Sequence, residues 1–240
     1  PDMYFNELQQ QLYKQHAMII GLFIIWRMLK SLGLTCKKLA CVAAEHNKDV
    51  CNHYRFKFGA EAPNHLVFIE ESCINCQTSY HLKGWAPQGK RAIISSKFMY
   101  SLLPALCSDG IIYADIRKGA YNGPAFIQYI EDLLDHMNPK PQPKSVHVMD
   151  NCAIHHIEEV MELCEEHGVH LYYLPPYSPD LNPIKESFIY VKSVLHHHGQ
   201  HFQMALQGKN EMVIHGFIYA ALATITPDLA QSWMNHSGYW

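Results

Sequence analysis

Apolar residues recur at helical spacing near the start of the chain and fall into short unbroken runs beyond residue 60. Over residues 4–15, Tyr4, Leu8 and Leu12 share one helical face, and over 20–32 Ile24, Ile25, Met28, Leu29 and Leu32 repeat the pattern until Gly33 stops it. This spacing predicts two short helices with a tight connection, the outline either of a helix-turn-helix or of an ordinary helical hairpin. A third helical stretch, carrying Lys37, Lys38 and Lys48, runs to about residue 58, and "GAEAPN" reads as a linker with a domain boundary near 60. The pattern therefore divides the chain into a small helical region, 1–58, and a larger domain, 60–240.

Beyond the linker the period changes. "HLVFIEE" (65–71) is an apolar run suited to a buried strand; turns in "GWAPQGKRAIISSKF" surround a second, and "DGIIYADI" (109–116) is a third. "GPAFIQYIEDLLDHM" then places Phe126, Ile127, Ile130, Leu133, Leu134 and Met137 on one helical face. "SVHVMD" (145–150) is a strand ending in an acid, "HIEEVMELCEEHG" a helix closed by Gly168, "VHLYYL" a strand, and "SPDLNPIKESFIYVKSVLHHHG" opens a further helix. Strands in sequence, followed by alternating strand and helix, predict an α/β domain with a mixed sheet flanked by helices.

Composition narrows the picture only slightly. With 240 residues, 48% of them hydrophobic and 17% charged, the chain can bury a sizeable core. A net charge of -3 gives no global basic field, so a nucleic-acid partner has to be held by local patches. Eight cysteines in a chain this long form no dense disulfide framework and suggest reduced thiols in an intracellular protein. Cys73 and Cys76 make a lone CxxC that lacks two further zinc ligands. The most apolar run, "AMIIGLFIIW", is about half the ~20 residues a membrane span requires, and Arg27 and Lys30 follow it. No membrane partner is expected.

In open α/β sheets the working residues stand at the carboxyl ends of strands, where Glu70 and Asp150 fall. A third group can come from the start of the helix after "SPDLNP", with Asp180 or Asn182 as its cap. Carboxylates on two strands and a helix are what a pair of divalent ions needs for in-line phosphoryl transfer. Acids at strand ends also serve as ordinary turn and cap residues, and the spacing does not separate the two roles.

"VMDNCAIHH" followed by "LPPYSPDLNPI" resembles the second and third motifs of the mariner-superfamily DDE transposases, and "LVFIEES", "GWAPQGKR", "LPALCSDGI" and "ITPDLAQSWMNHSGY" extend the likeness over nearly the whole chain. The resemblance implies an RNase H-like catalytic domain that cuts and joins transposon DNA ends. It implies Mg2+ or Mn2+ as cofactor, terminal inverted repeats and target DNA as partners, a homodimer, and a nuclear location. "LQQQLYKQ" and "IIWRMLKSLGLTCKKL" are similar to the second half of the family's paired helix-turn-helix region, so the first half is expected upstream of Pro1 or missing.

Carried over by position, the family's three metal-holding acids fall on Glu70, Asp150 and Lys185, with 34 residues between the last two, the spacing of the superfamily. Only Asp150 has the expected residue. Glu70 keeps a carboxylate on a side chain one methylene longer; Lys185 replaces an acceptor with three donors and so repels metal. Glu186, the next acid, is about 100° further round the helix. Asn151 and His155 match the family's "DN...H" motif and are candidates for positioning substrate or water. Arg27, Lys30, Lys37, Lys38, Lys83, Lys90 and Arg91 are candidates for phosphate contact. These substitutions imply a catalytically impaired transposase; the alternative is a domesticated, non-catalytic DNA-binding or interaction protein.

Overall fold

The structure, a computed structural model, describes residues 5–35, 48–59, 61–75, 87, 89, 99–151, 158–208 and 210–239. The chain forms two compact units, Pro1–Ala44 and Glu45–Trp240. In the first, α1 (Phe5–His16) and α2 (Leu22–Ser31) contact one another, as their apolar spacing predicts. Gln9 donates its side-chain amide to the Ile20 carbonyl across the connection at 2.6 Å. Ile25 is the buried residue of α2, while Phe23, Ile24 and Trp26 remain exposed.

The second unit begins before the boundary expected near residue 60. Helix α3 (Lys48–Phe58) buries Cys51, Tyr54 and Phe58 in the core of this unit, so it belongs to the larger domain rather than to the helical pair. The physical reason lies in the spacing of those three apolar residues: they share a face, and that face packs against Tyr172 and Tyr239.

Strands β1 (Leu66–Ile69), β2 (Ser72–Asn75), β3 (Met99–Cys107), β4 (Gly110–Lys118), β5 (Val146–Met149) and β6 (His170–Tyr173) make a mixed sheet. Their order is β2-β3-β1-β5-β6, with β4 paired to β3. β1 and β2 run along β3 in one continuous antiparallel register, Phe68 opposite Leu106 and Ser72 opposite Leu102. That register puts Pro104 opposite Glu70 at the break between the two strands, where a proline offers no N–H to the ladder. The run at 65–71 therefore yields one short strand and a break at Glu70 and Glu71, after which β2 begins at Ser72. The strand expected within "GWAPQGKRAIISSKF" lies outside the described residues.

The sheet is covered on both sides. Alternation along β1 and β5 sends Leu66, Phe68, Val146 and Val148 to one face, beneath α6 (Ile184–His197), α8 (Glu211–Leu222) and α9 (Pro227–His236). Val67, Ile69 and Met149 go to the other, beneath α4 (Gly123–Leu134) and α5 (Glu158–Glu166). Helix α4 starts where its sequence says it should: Pro124 sits in the first turn and the Asn122 side chain accepts from the Ala125 amide at 3.0 Å. Gly168 ends α5 at φ 66°, and a Cβ there would stand 3.0 Å from that of Pro139. Helix α7 (Gly199–Gly208) packs against α8. Among the described residues no single helix is long and apolar enough to cross a membrane. Cys51, Cys73, Cys107 and Cys164 are free thiols.

Candidate active site

β1 and β5 are parallel neighbours paired from Leu66 with Val146 to Ile69 with Met149. The next residue on each is an acid, so Glu70 and Asp150 leave adjacent strands side by side, at the ~4.8 Å spacing of paired strands. By alternation both follow Phe68 and Val148 to the face covered by α6. Glu70 is buried at 8% exposure, Asp150 is half-buried, and Asn151 just beyond it is exposed. Glu71 takes the opposite direction, as period-two geometry requires, and accepts a hydrogen bond from the Ser101 hydroxyl at 2.6 Å.

The third side of the site is the loop into α6. After β6 the chain passes a 3-10 turn, Pro179–Leu181, and enters the helix through Asn182 and Pro183. This loop is anchored from several directions. The Ser178 hydroxyl lies 3.1 Å from the Cys51 thiol, the Tyr239 hydroxyl donates to the Leu181 carbonyl at 2.7 Å, and Arg55 reaches Asp180 at 3.4 Å. Tyr239 is in turn bonded to the Tyr54 hydroxyl at 3.0 Å, and burial pushes both phenols well above their ordinary pKa. Ile184, Phe188 and Val191 bury the inner face of α6, which fixes where Lys185 emerges.

Neither Asp180 nor Asn182 caps α6. Pro183 occupies the cap position without a side-chain bond, and Asn182, 3% exposed, instead donates its amide to Glu70 Oε2 at 2.8 Å. Lys185 donates its ammonium to Glu70 Oε1. Both oxygens of Glu70 thus carry donors from the start of α6. The Asn182 Oδ1 is buried with no hydrogen-bond partner among the described residues.

Glu186, considered above as a replacement acid, does not join this cluster. It points to α9, where its carboxylate accepts from His236 Nδ1 at 2.5 Å. One residue along a helix is about 100° of rotation, enough to turn it from Glu70 to the neighbouring helix. The carboxylate raises the His236 pKa above its ordinary value of 6.5 through the hydrogen bond and its charge. A raised histidine stabilises the fold fully below 6.5, and that contribution disappears as pH rises through the higher folded value. In an NMR titration the His236 ring is expected to titrate above its ordinary value in the unmodified chain and to fall back toward it in Glu186→Gln. An unchanged titration in the variant would separate the two residues.

The remaining candidates are dispersed. Arg27 and Lys30 are exposed on α2, each over an aromatic ring of its own helix: Arg27 lies 5.0 Å from the Phe23 centroid and Lys30 5.1 Å from that of Trp26. Lys37, Lys38, Lys83, Lys90, Arg91 and His155 lie outside the described residues.

Residues 65–206 match the family model described as DDE superfamily endonuclease. The chain belongs to this family. No curated protein matches it. Among solved structures, the Mos1 mariner paired end complex with Mn is 15% identical, with a TM-score of 0.60 over 98% of this chain and 75% of that one. The Mos1 transposase paired-end complex with left transposon end is 16% identical, with a TM-score of 0.56 over 98% and 79%. A pre-cleavage Mos1 transpososome is also 16% identical, with a TM-score of 0.54 over 99% and 80%. At these identities the likeness establishes the RNase H-like fold, a mixed sheet flanked by helices.

Each Glu70 oxygen accepts one hydrogen bond, and the Lys185 ammonium stands beside two carboxylates, a poor match to a pair of divalent ions, which take oxygen ligands. Among the described residues no three His, Cys, Asp or Glu side chains group to hold a metal.

Proposed function

We propose that this DDE endonuclease is a mariner-type transposase derivative that binds DNA on the transposase frame and is impaired in cutting it. The observation that carries the reading is the register of β1 and β5, which sets Glu70 beside Asp150 under the start of α6, with Lys185 at the corner where the third acid belongs. One solved structure of similar fold is a paired-end complex with the left transposon end, and we extend a DNA partner to this chain, together with terminal inverted repeats, target DNA and a second protomer. The α1–α2 pair, with Arg27 and Lys30 exposed, is read as the remnant of a helix-turn-helix. A protein acting on chromosomal DNA would work in the nucleus of a nucleated cell.

On this reading Mg2+ or Mn2+ would be the cofactor only of a chain in which the third acid is restored. Asp150 keeps the one acid in its expected place, while Asn151 and His155 are retained from the motif around it. The domesticated, purely DNA-binding alternative rests on the same site, since Lys185 removes cleavage without removing the fold.

DNA binding is tested by fluorescence anisotropy with a short duplex over a salt series. Association is expected to weaken linearly with the logarithm of salt, the signature of phosphate contacts and counterion release. A chain that leaves the duplex unbound even at low salt would refute DNA as the partner.

A further inference from the structure

We infer that Lys185 is a tethered cation that takes the place of the divalent metal at this site. Its ammonium neutralises Glu70 and fastens the start of α6 to the end of β1, so the folded domain neither requires nor admits Mg2+ or Mn2+ there. This rests on the proposed descent of the site from a DDE metal centre, but it concerns what Lys185 does rather than what was lost.

Simple loss of a ligand would leave the lysine free to extend into solvent. Lys185 instead bends to Glu70, with its side chain 42% exposed and that of its partner only 11%. The difference in exposure indicates which group needs the other. An ionised carboxylate buried to this degree is costly without a compensating charge, and the neighbouring Asp150 adds like-charge repulsion. Lysine answers both needs: it brings one positive charge and three donors on a stem long enough to reach inward from a partly exposed helix start.

The position is fixed as well as charged. Asn182 holds the other Glu70 oxygen from a turn bounded by Pro179 and Pro183, and Ile184 and Phe188 clamp the helix on either side of Lys185. Because the ammonium is tethered, its effective concentration at Glu70 is on the order of millimolar or higher. A divalent ion approaching either Glu70 oxygen competes with a donor already bonded there, the Lys185 ammonium on Oε1 or the Asn182 amide on Oε2. It would then meet the lysine's charge at close range.

The experiment is a Mn2+ titration of the full chain without DNA, following free Mn2+ by electron paramagnetic resonance, alongside thermal melts in Mn2+ and in chelator. The unmodified chain is expected to leave millimolar Mn2+ free and to melt at the same temperature in both solutions. Lys185→Glu is expected to bind Mn2+ at least tenfold more tightly and to melt several degrees higher in Mn2+ than in chelator. Lys185→Gln, which removes the charge and leaves a shorter polar side chain, is expected to melt below the unmodified chain in chelator; it decides the matter if the glutamate variant does not fold. Mn2+ bound by the unmodified chain and released in Asp150→Asn would overturn the inference. So would a Lys185→Gln variant that melts and binds Mn2+ as the unmodified chain does. DNA is absent throughout, so a failure to bind DNA bears on the proposed function alone.

Discussion

Replacing Glu70 by aspartate and Lys185 by glutamate in one chain is expected to produce Mg2+-dependent nicking of supercoiled DNA at least about a hundredfold above the unmodified chain. Lys185→Glu changes the local charge by two units. A single unit charge 4 Å from another is worth about 4 kcal/mol at an effective dielectric of 20, about a thousandfold in rate if it acts fully on the transition state. Screening and imperfect placement reduce that figure, so the lower bound is the appropriate expectation. Glu70→Asp removes the extra methylene and also withdraws the carboxylate from the reach of Asn182. Lys185→Glu alone is expected to give a smaller gain, because Glu70 retains its Asn182 bond. Nicking in the double variant that survives Asp150→Ala would point to a contaminating nuclease.

Phe68→Ala is expected to lower the stability of the larger unit by about 3 to 5 kcal/mol, read as a shift in the urea midpoint at unchanged slope. Phe68 is 0% exposed on β1, lies opposite Leu106 and beside Val148 in the sheet, and meets the Tyr239 ring at 4.9 Å. The cavity left by its ring would open two residues before Glu70 and beside the tyrosine that anchors the Leu181 carbonyl. Ile189→Ala, at an α6 position 71% exposed, is the control and should fall within about 0.5 kcal/mol of the unmodified chain. Comparable losses from the two would contradict the placement of the core under α6.

Much of the architecture was legible because burial imposes periodicity. The helical spacing at 4–15 and 20–32 marks α1 and α2, the apolar face of 123–137 marks α4, and the runs ending at Ile69 and Met149 mark the paired strands that carry Glu70 and Asp150. Where the pattern was silent, another interaction decides the structure. Nine residues from Met99 to Cys107 form a strand although Pro104 interrupts the sequence cue; they are held by β1 and β2 on one edge and β4 on the other. The helices after Gly199 complete the core over the sheet and gave no site signal. The boundary near 60 followed a linker composition, whereas packing of Cys51, Tyr54 and Phe58 puts the division before α3.

The site divides in the same way. That Glu70, Asp150 and position 185 converge follows from strand ends and motif spacing. That Asn182 bonds Glu70 rather than capping α6 does not, because an asparagine before a helix reads locally as a cap and its partner lies 112 residues away. Glu186 and His236 are likewise distant in sequence, and their pairing depends on how α6 and α9 cross. The pairing of Lys185 with Glu70 was not read from the sequence either, where the lysine figured only as a group that repels metal.

Crystals of the unmodified chain grown in millimolar Mn2+ and read by anomalous scattering are expected to show Lys185 on Glu70 and no anomalous peak between Glu70 and Asp150, as a site closed by its own lysine requires. A Mn2+ peak bridging those two carboxylates, with the lysine displaced, would contradict it.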